Sequence, residues 1–242
     1  MMQESRRLRF SYRMALDFSE PVQKHRFALR MIPQSDERQQ ITACSVRLEP
    51  ECALTEETDT FGNRYVYGDI AHPHRVFCVE VCGTAKVSST ALLLCDRPWM
   101  ELAPFRFPSQ YTKAGDCLKA YHEKYGQKED EQAYVYCVRL LHQIYQDMVY
   151  VQGVTDIHTT AEEALAGREG VCQDYAHIMI ALCRMAGIPS RYVVGMMQGE
   201  GCSHAWVEVC ADGAWHGMDP TNDRVTDDSY IKISHGRDYQ DC

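Results

Sequence analysis

The fold class predicted by the sequence is α+β, and three observations predict it. Apolar and polar residues alternate with period two from residue 6 to about 88. The period becomes helical near residue 112, and alternation returns from residue 191 to 218 around an Asp-Gly pair. Strands grouped in one half, then helices followed by an antiparallel sheet in the other, make two structural regions rather than one alternating βα array.

The N-terminal region reads as all-β. Leu8, Phe10, Tyr12, Met14 and Leu16 fall on one face of an extended Arg6–Asp17 segment. The segments 23–32, 42–48 and 76–87 alternate in the same way and are rich in β-branched and aromatic residues. Phe61-Gly62-Asn63, placed before the run Arg64–Ile70, reads as a hairpin turn, because Gly and Asn accept positive φ. Several short strands at this spacing predict a sandwich or a barrel over residues 1–88. Residues 89–111 read as an extended linker, where Pro98, Pro104 and Pro108 punctuate Trp99, Phe105 and Phe107.

Residues 112–242 read as a second domain. Helices are expected over 111–125 and 131–148, from apolar residues three and four apart such as Val138, Leu141, Ile144, Tyr145 and Met148. Thr160-Ala161-Glu162-Glu163 is a capping box that opens a short helix ending near Gly167. Cys172–Ala186 reads as a buried helix, closed by Gly187 and kept from continuing by Pro189. Arg191–Met197, His204–Val209 and Trp215–Met218 read as strands, the last two joined through Asp212-Gly213.

Bulk properties remove several classes. With 242 residues, 45% hydrophobic and 24% charged, the chain has ordinary globular composition. Its formal charge of -9 argues against nucleic acid or an anionic membrane as main partner. No apolar run approaches the roughly 18 residues that a spanning helix needs. Met1–Phe10 carries three arginines with no apolar stretch behind them, unlike a secretory signal, so a cytoplasmic location is expected. Most of the 12 cysteines are then expected to be reduced, small buried hydrophobes.

One cysteine stands apart. In Gly170-Val171-Cys172-Gln173-Asp174 a glycine lets the backbone turn sharply just before a helix, placing Cys172 in its first turn. Free backbone N–H groups and the positive end of the dipole favour negative charge on the sulfur, and the same N–H groups suit a developing oxyanion. A nucleophilic cysteine needs an imidazole partner, which His204 offers from the strand of Ser203–Val209. Antiparallel pairing through the Asp212-Gly213 turn brings Asp219, at the end of the next strand, beside His204 as the group that orients the ring.

These segments carry a resemblance. Gly170–Asp174, Ser203–Glu208 and Asp219-Pro220-Thr221-Asn222 resemble the core motifs of bacterial transglutaminase-like proteins in order and spacing, with 32 residues from Cys172 to His204 and 15 from His204 to Asp219. Tyr150, Gly153, Thr155 and Gly236-Arg237-Asp238-Tyr239 resemble further parts of that core. Ser19–Val22 and Asp59–Asn63 resemble the β domain that often precedes it. The resemblance implies a papain-like core of helices packed on an antiparallel sheet and a Cys172–His204–Asp219 triad. It also implies amide or ester acyl transfer on a peptide or protein substrate without a cofactor. Two departures stand out. The chain stops at Cys242, where family members usually continue with further strands, so an incomplete last sheet is expected. Met148 replaces a commoner aromatic, which is expected to alter a wall of the cleft.

Three functions fit this constellation. Hydrolysis, by a protease, peptidase or amidase, is preferred, because water is abundant and an open site needs added features to exclude it. Transfer from glutamine to an amine shares the first half-reaction, and a binding module with a vestigial site is the third reading. Trp206, on the face of His204, either covers the triad or fills the core. Tyr150 and Tyr175 are candidates to border the cleft, and His177 is expected to be a buried, hydrogen-bonded helix residue. Cys202, His204, Cys210 and His216 have metal-ligating chemistry at spacings unlike structural zinc, so no metal is expected.

Overall fold

The computed structural model describes residues 5–95, 99–199 and 201–242. The chain divides into two compact units. One runs through Ala91 and includes Gly195–Gly199 and Asp228–Ser234; the other holds Leu92–Val194, the segment ending at Asp227, and His235–Cys242.

The first unit contains strands β1 (Ser5–Val22), β2 (His25–Leu29), β3 (Gln39–Glu49), β4 (Leu54–Thr58), β5 (Arg64–Ile70) and β6 (His74–Ser88). They form two three-stranded antiparallel sheets, ordered β1-β6-β3 and β2-β5-β4. Alternation puts Leu8 and Phe10 of β1, Val66 and Ile70 of β5, and Phe77, Val79 and Val81 of β6 into one core between the sheets, which makes the unit a sandwich. The Phe61-Gly62-Asn63 turn is present: Gly62 has φ 85°, and Asp59 Oδ1 accepts from the N–H groups of Phe61 and Asn63, both at 2.9 Å. Its incoming strand β4 was not foreseen, because Leu54-Thr55-Glu56-Glu57-Thr58 lies at a sheet edge and its outward residues leave no alternation to read.

The second unit contains β7 (Leu93–Leu94), α1 (Trp99–Leu102), α2 (Asp116–Tyr125), α3 (Ala133–Asp147), β8 (Val149–Tyr150), α4 (Ala161–Gly167), β9 (Glu169–Gly170) and α5 (Cys172–Met185). β11 (His204–Ala211), β12 (Ala214–Asp219) and β13 (Arg224–Val225) follow, while β10 (Ser190–Met197) and β14 (Tyr230–Gly236) contribute to both units. The sheet order is β13-β12-β11-β10-β14, with β7 on β12. Residues Asp174 to Arg184 of α5 are all buried, so this helix is the centre of the core, against α2, α3, α4 and β11.

The expected stretch from residue 89 to 111 holds β7, α1 and a 3-10 turn at Ala103–Phe105 rather than purely extended chain; Pro98 lies outside the described residues. Buried Arg184 ties part of this stretch down. Its guanidinium donates to the carbonyls of Phe105 (3.1 Å), Ser190 (2.9 Å) and Arg237 (2.7 Å) and to Thr112 Oγ1 (2.9 Å). Helix α2 starts at Asp116, later than the periodicity implied, because its N-terminus is capped from afar. The Glu162 carboxylate accepts from the N–H groups of Gly115, Cys117 and Leu118 at 2.7–3.0 Å. The Thr160–Glu163 capping box forms as expected, and α4 ends on Arg168, whose φ is 56°.

The cysteines depart from expectation. Cys95 and Cys210 form a disulfide, and of the free cysteines only Cys137 and Cys183 are buried. Met148, expected beside the cleft, packs in the core and is 5% exposed.

Candidate active site

The strand-to-helix junction at residues 170–174 begins the site. β9 pairs in parallel with β8, Tyr150 opposite Gly170, and the chain then enters α5 with Val171 as N-cap and Cys172 as first helical residue. Gly170 serves this junction differently from the expected sharp turn. A Cβ on Gly170 would lie 2.6–2.8 Å from the Asp174 side chain, so the glycine leaves room for that carboxylate to fold back. Asp174 Oδ2 then accepts from the Val171 N–H at 2.7 Å, completing a cap. Cys172 is half-buried and packs against the core.

His204 and Asp219 come from adjacent strands. Asp212 and Gly213, with φ of 51° and 80°, make the tight turn between β11 and β12. The register Val207↔Met218 brings Asp219 level with the first residues of β11. His204 Nε2 donates to Asp219 Oδ2 at 2.7 Å. Asp219 is fully buried, and its Oδ1 accepts from the N–H groups of Thr221 (3.1 Å) and Asn222 (3.3 Å), an Asx turn that fixes the carboxylate. Asn222 Nδ2 donates to Asp219 Oδ2 at 2.9 Å and lies 3.4 Å from His204 Nε2. Asn222 is the site residue that sequence reasoning did not single out. Its signal was the Asp-Pro-Thr-Asn turn, which returns a side-chain amide onto the aspartate.

The electrostatics follow from these contacts. Burial alone would lower the pKa of His204. Its hydrogen bonds with Asp219 and Cys172, and the charges of both, outweigh burial and push it up to about 10. The imidazole is therefore held protonated near neutrality, with the Cys172 sulfur on one side and a carboxylate on the other. Trp206 is 2% exposed and stacks beside His204, ring centroids 6.3 Å apart, so it fills core and covers the ring at once.

The other expected residues separate. Tyr150 is 49% exposed on β8, beside the junction that leads to Cys172, whereas Tyr175 is buried in the core behind it, ring centroids 6.5 Å apart. Tyr175 thus offers little surface to a substrate. His177 is fully buried between Tyr111 and Tyr192, and its Nε2 accepts from the Tyr239 N–H at 3.2 Å. Burial, then the charge of Arg184, lowers its pKa to about 3, which keeps it neutral and structural. The four residues with zinc chemistry are dispersed: His204 is committed to Asp219, Cys210 to Cys95, His216 donates to the Ala211 carbonyl at 3.1 Å, and Cys202 is exposed.

Comparison with known proteins gives this arrangement its family. Residues 119–220, which hold Cys172, His204 and Asp219, match the sequence profile of the "Transglutaminase-like superfamily". Residues 8–86 match that of the "Bacterial transglutaminase-like N-terminal region". The chain thus carries a transglutaminase-like core behind a bacterial transglutaminase-like N-terminal region. An uncharacterized protein of Mycobacterium leprae is 29% identical over 232 residues, spanning 88% of this chain and 82% of its own. One of Mycobacterium tuberculosis is 29% identical over 268 residues, spanning 97% and 85%. Among solved structures, one from Cytophaga hutchinsonii described as a "Putative Cysteine Protease" superposes with a TM-score of 0.81 at 25% identity, over 97% of this chain and 86% of the other. This transglutaminase-like chain therefore shares both its sheet-rich N-terminal part and its α+β core with that protein.

Proposed function

We propose that this transglutaminase-like protein is a cysteine-dependent amide hydrolase, a protease, peptidase or amidase, acting on a peptide or protein. The observation that carries the reading is the buried 2.7 Å hydrogen bond from His204 to Asp219, with the same imidazole hydrogen-bonded to Cys172. A cysteine in the first turn of a helix, an imidazole charged at neutral pH and a buried carboxylate holding that ring are the parts nucleophilic acyl transfer needs.

In this reading Cys172 Sγ attacks the carbonyl carbon, and negative charge gathers on the carbonyl oxygen. Backbone N–H groups in the first turn of α5 stabilise it. Protonated His204 gives its proton to the leaving amine as the C–N bond breaks, which leaves a thioester on Cys172. Water then attacks the thioester, His204 takes a proton from it, and the carboxylic acid leaves as the Cys172 thiolate that made the first attack reforms beside protonated His204. Asp219 keeps the ring oriented throughout and Asn222 keeps Asp219 in place.

The acceptor is decided by supplying a glutamine peptide together with a labelled primary amine. Released ammonia or cleaved peptide without incorporated label is the expected result. Label incorporated in preference to hydrolysis replaces the hydrolase reading by transamidation, and no turnover by either route, over a broad peptide set, sinks both.

A further inference from the structure

Asp174 makes a contact that neither the cap nor the reaction above requires. It is the third residue of α5, 1% exposed, and its Oδ2 accepts two hydrogen bonds: one from the Val171 N–H and one from Thr155 Oγ1, each 2.7 Å. The bond from Val171 is ordinary helix capping. The bond from Thr155 crosses 19 residues of sequence to the loop after β8. Asp174 Oδ1, meanwhile, is buried without a hydrogen-bond partner among the described residues. A carboxylate placed for its own satisfaction would share its donors between both oxygens. Here both converge on one oxygen, so the loop's attachment dictates the geometry.

Two more contacts join the same segments. The Val151 N–H donates to the Gly170 carbonyl at 3.0 Å, and Gln173 Nε2 donates to the Asp156 carbonyl at 3.4 Å. The loop segment from residue 151 to 156 is thus laced along the junction from residue 170 to 174, with Cys172 between the fastenings. The loop is held in shape by its own turn, in which Asp156 Oδ1 accepts from the His158 N–H at 2.7 Å and Thr159 Oγ1 accepts from the Asp156 N–H at 3.0 Å. Burial raises the Asp174 carboxyl, while the bonds from Val171 and Thr155 pull it back. Of the fastenings between loop and junction, the Thr155 bond is the shortest and the one accepted by a carboxylate, so it is the strongest of them.

We propose that Thr155 and Asp174 are positioning residues for Cys172: their hydrogen bond clamps the 151–156 loop across the strand-to-helix junction and fixes the direction of the Cys172 thiol toward His204. The inference rests on Cys172 being the nucleophile. Neither residue touches the reacting atoms; each acts through the backbone that carries the sulfur.

The test measures iodoacetamide alkylation of Cys172 from pH 5 to 9, by peptide mass spectrometry, in the wild type, Thr155→Val, Thr155→Ser and Asp174→Ala. Thr155→Val keeps the side-chain shape and exchanges the hydroxyl for a methyl that cannot donate to Asp174. It is expected to slow alkylation of Cys172 about tenfold near neutrality, the effect of losing one hydrogen bond to a carboxylate, and to alter the pH profile. Thr155→Ser is expected to restore the rate to within about twofold. Asp174→Ala, where it folds, matches Thr155→Val or exceeds it. A purely structural link would lower the unfolding temperature of Thr155→Val and leave its alkylation profile superimposed on the wild type, and that result overturns the proposal. The readout is a thiol rate, not turnover. Failure of the hydrolase reading appears separately, as a wild type that forms no acyl-enzyme.

Discussion

Asp219 and His204, 15 residues apart on neighbouring strands, meet through a buried 2.7 Å hydrogen bond. Two backbone N–H groups hold the carboxylate's other oxygen, and the Asn222 amide holds the same oxygen that His204 uses. The aspartate is therefore placed before the histidine needs it. Its removal and that of the cysteine should have different consequences. Cys172→Ala leaves no nucleophile and is expected to abolish acyl transfer. Asp219→Ala retains nucleophile and base and loses the orienter, with an expected drop in kcat/KM of about 10² to 10⁴. Asn222→Ala removes one donor to Asp219 and is expected to cost about tenfold. Steady-state rates on an activated acyl ester measure all three.

Two histidines set opposite limbs of the stability–pH curve. The ordinary imidazole pKa is near 6.5. His204, held up to about 10, binds its proton more tightly in the folded state. Its contribution is fully present below about pH 6.5 and is lost as pH rises toward 10. His177, lowered to about 3, must charge when the chain unfolds in acid. Its contribution is present above about pH 6.5 and is lost as pH falls toward 3. Denaturant midpoints from pH 4 to 10 should thus show His204→Gln flattening the alkaline limb and His177→Gln flattening the acid limb. The reverse assignment would contradict both pKa directions.

Arg184 is another buried cation; its hydrogen bonds go to carbonyls and a hydroxyl, and the charges of Asp238 and Asp241 act on it from nearby. Arg184→Ala leaves the carbonyls of Phe105, Ser190 and Arg237 without that donor. The expected cost is about 3 kcal/mol or more, seen as a lowered urea midpoint, together with faster hydrogen exchange in 103–112. A midpoint unchanged within about 0.5 kcal/mol would show that water replaces the guanidinium there.

Two glycines near each other in sequence should respond oppositely to alanine. At Gly170 a Cβ runs into the Asp174 side chain, and Gly170→Ala is expected to destabilise by about 1–3 kcal/mol. At Gly167, the last residue of α4, a Cβ meets nothing within 4 Å. Gly167→Ala is expected to stabilise by about 0.5–1 kcal/mol. Thermal unfolding of both variants checks the pair.

How far the sequence could be read depended on the distance over which each feature is encoded. Cys172, His204 and Asp219 were legible because each lies in a short segment whose type is local: a glycine before a helix start, an alternating strand, a strand stopped by Pro220. The Thr160–Glu163 capping box was legible for the same reason. The Glu162 cap on α2 was not, because Glu162 and Gly115 are 47 residues apart and the same glutamate reads equally well as a surface residue. The Cys95–Cys210 disulfide spans 115 residues, and a scatter of 12 cysteines offers no spacing from which to choose a pair. Strand β4 was hidden by its exposure, since a strand with little inward face leaves no period. Gly170 was expected to allow a sharp backbone turn; the constraint that the structure shows there is the side chain of Asp174, four residues on.

The central claim, that Cys172 is an acyl-accepting nucleophile driven by His204, is tested most directly by trapping the acyl-enzyme. The wild type, His204→Ala and Cys172→Ser are each mixed with an activated acyl ester, quenched in acid and mapped by peptide mass spectrometry. The account predicts a hydroxylamine-labile adduct on Cys172, at least about tenfold above that on exposed Cys202, and lost in His204→Ala. Label spread evenly over the accessible cysteines, or a Cys172 adduct indifferent to His204, would contradict it.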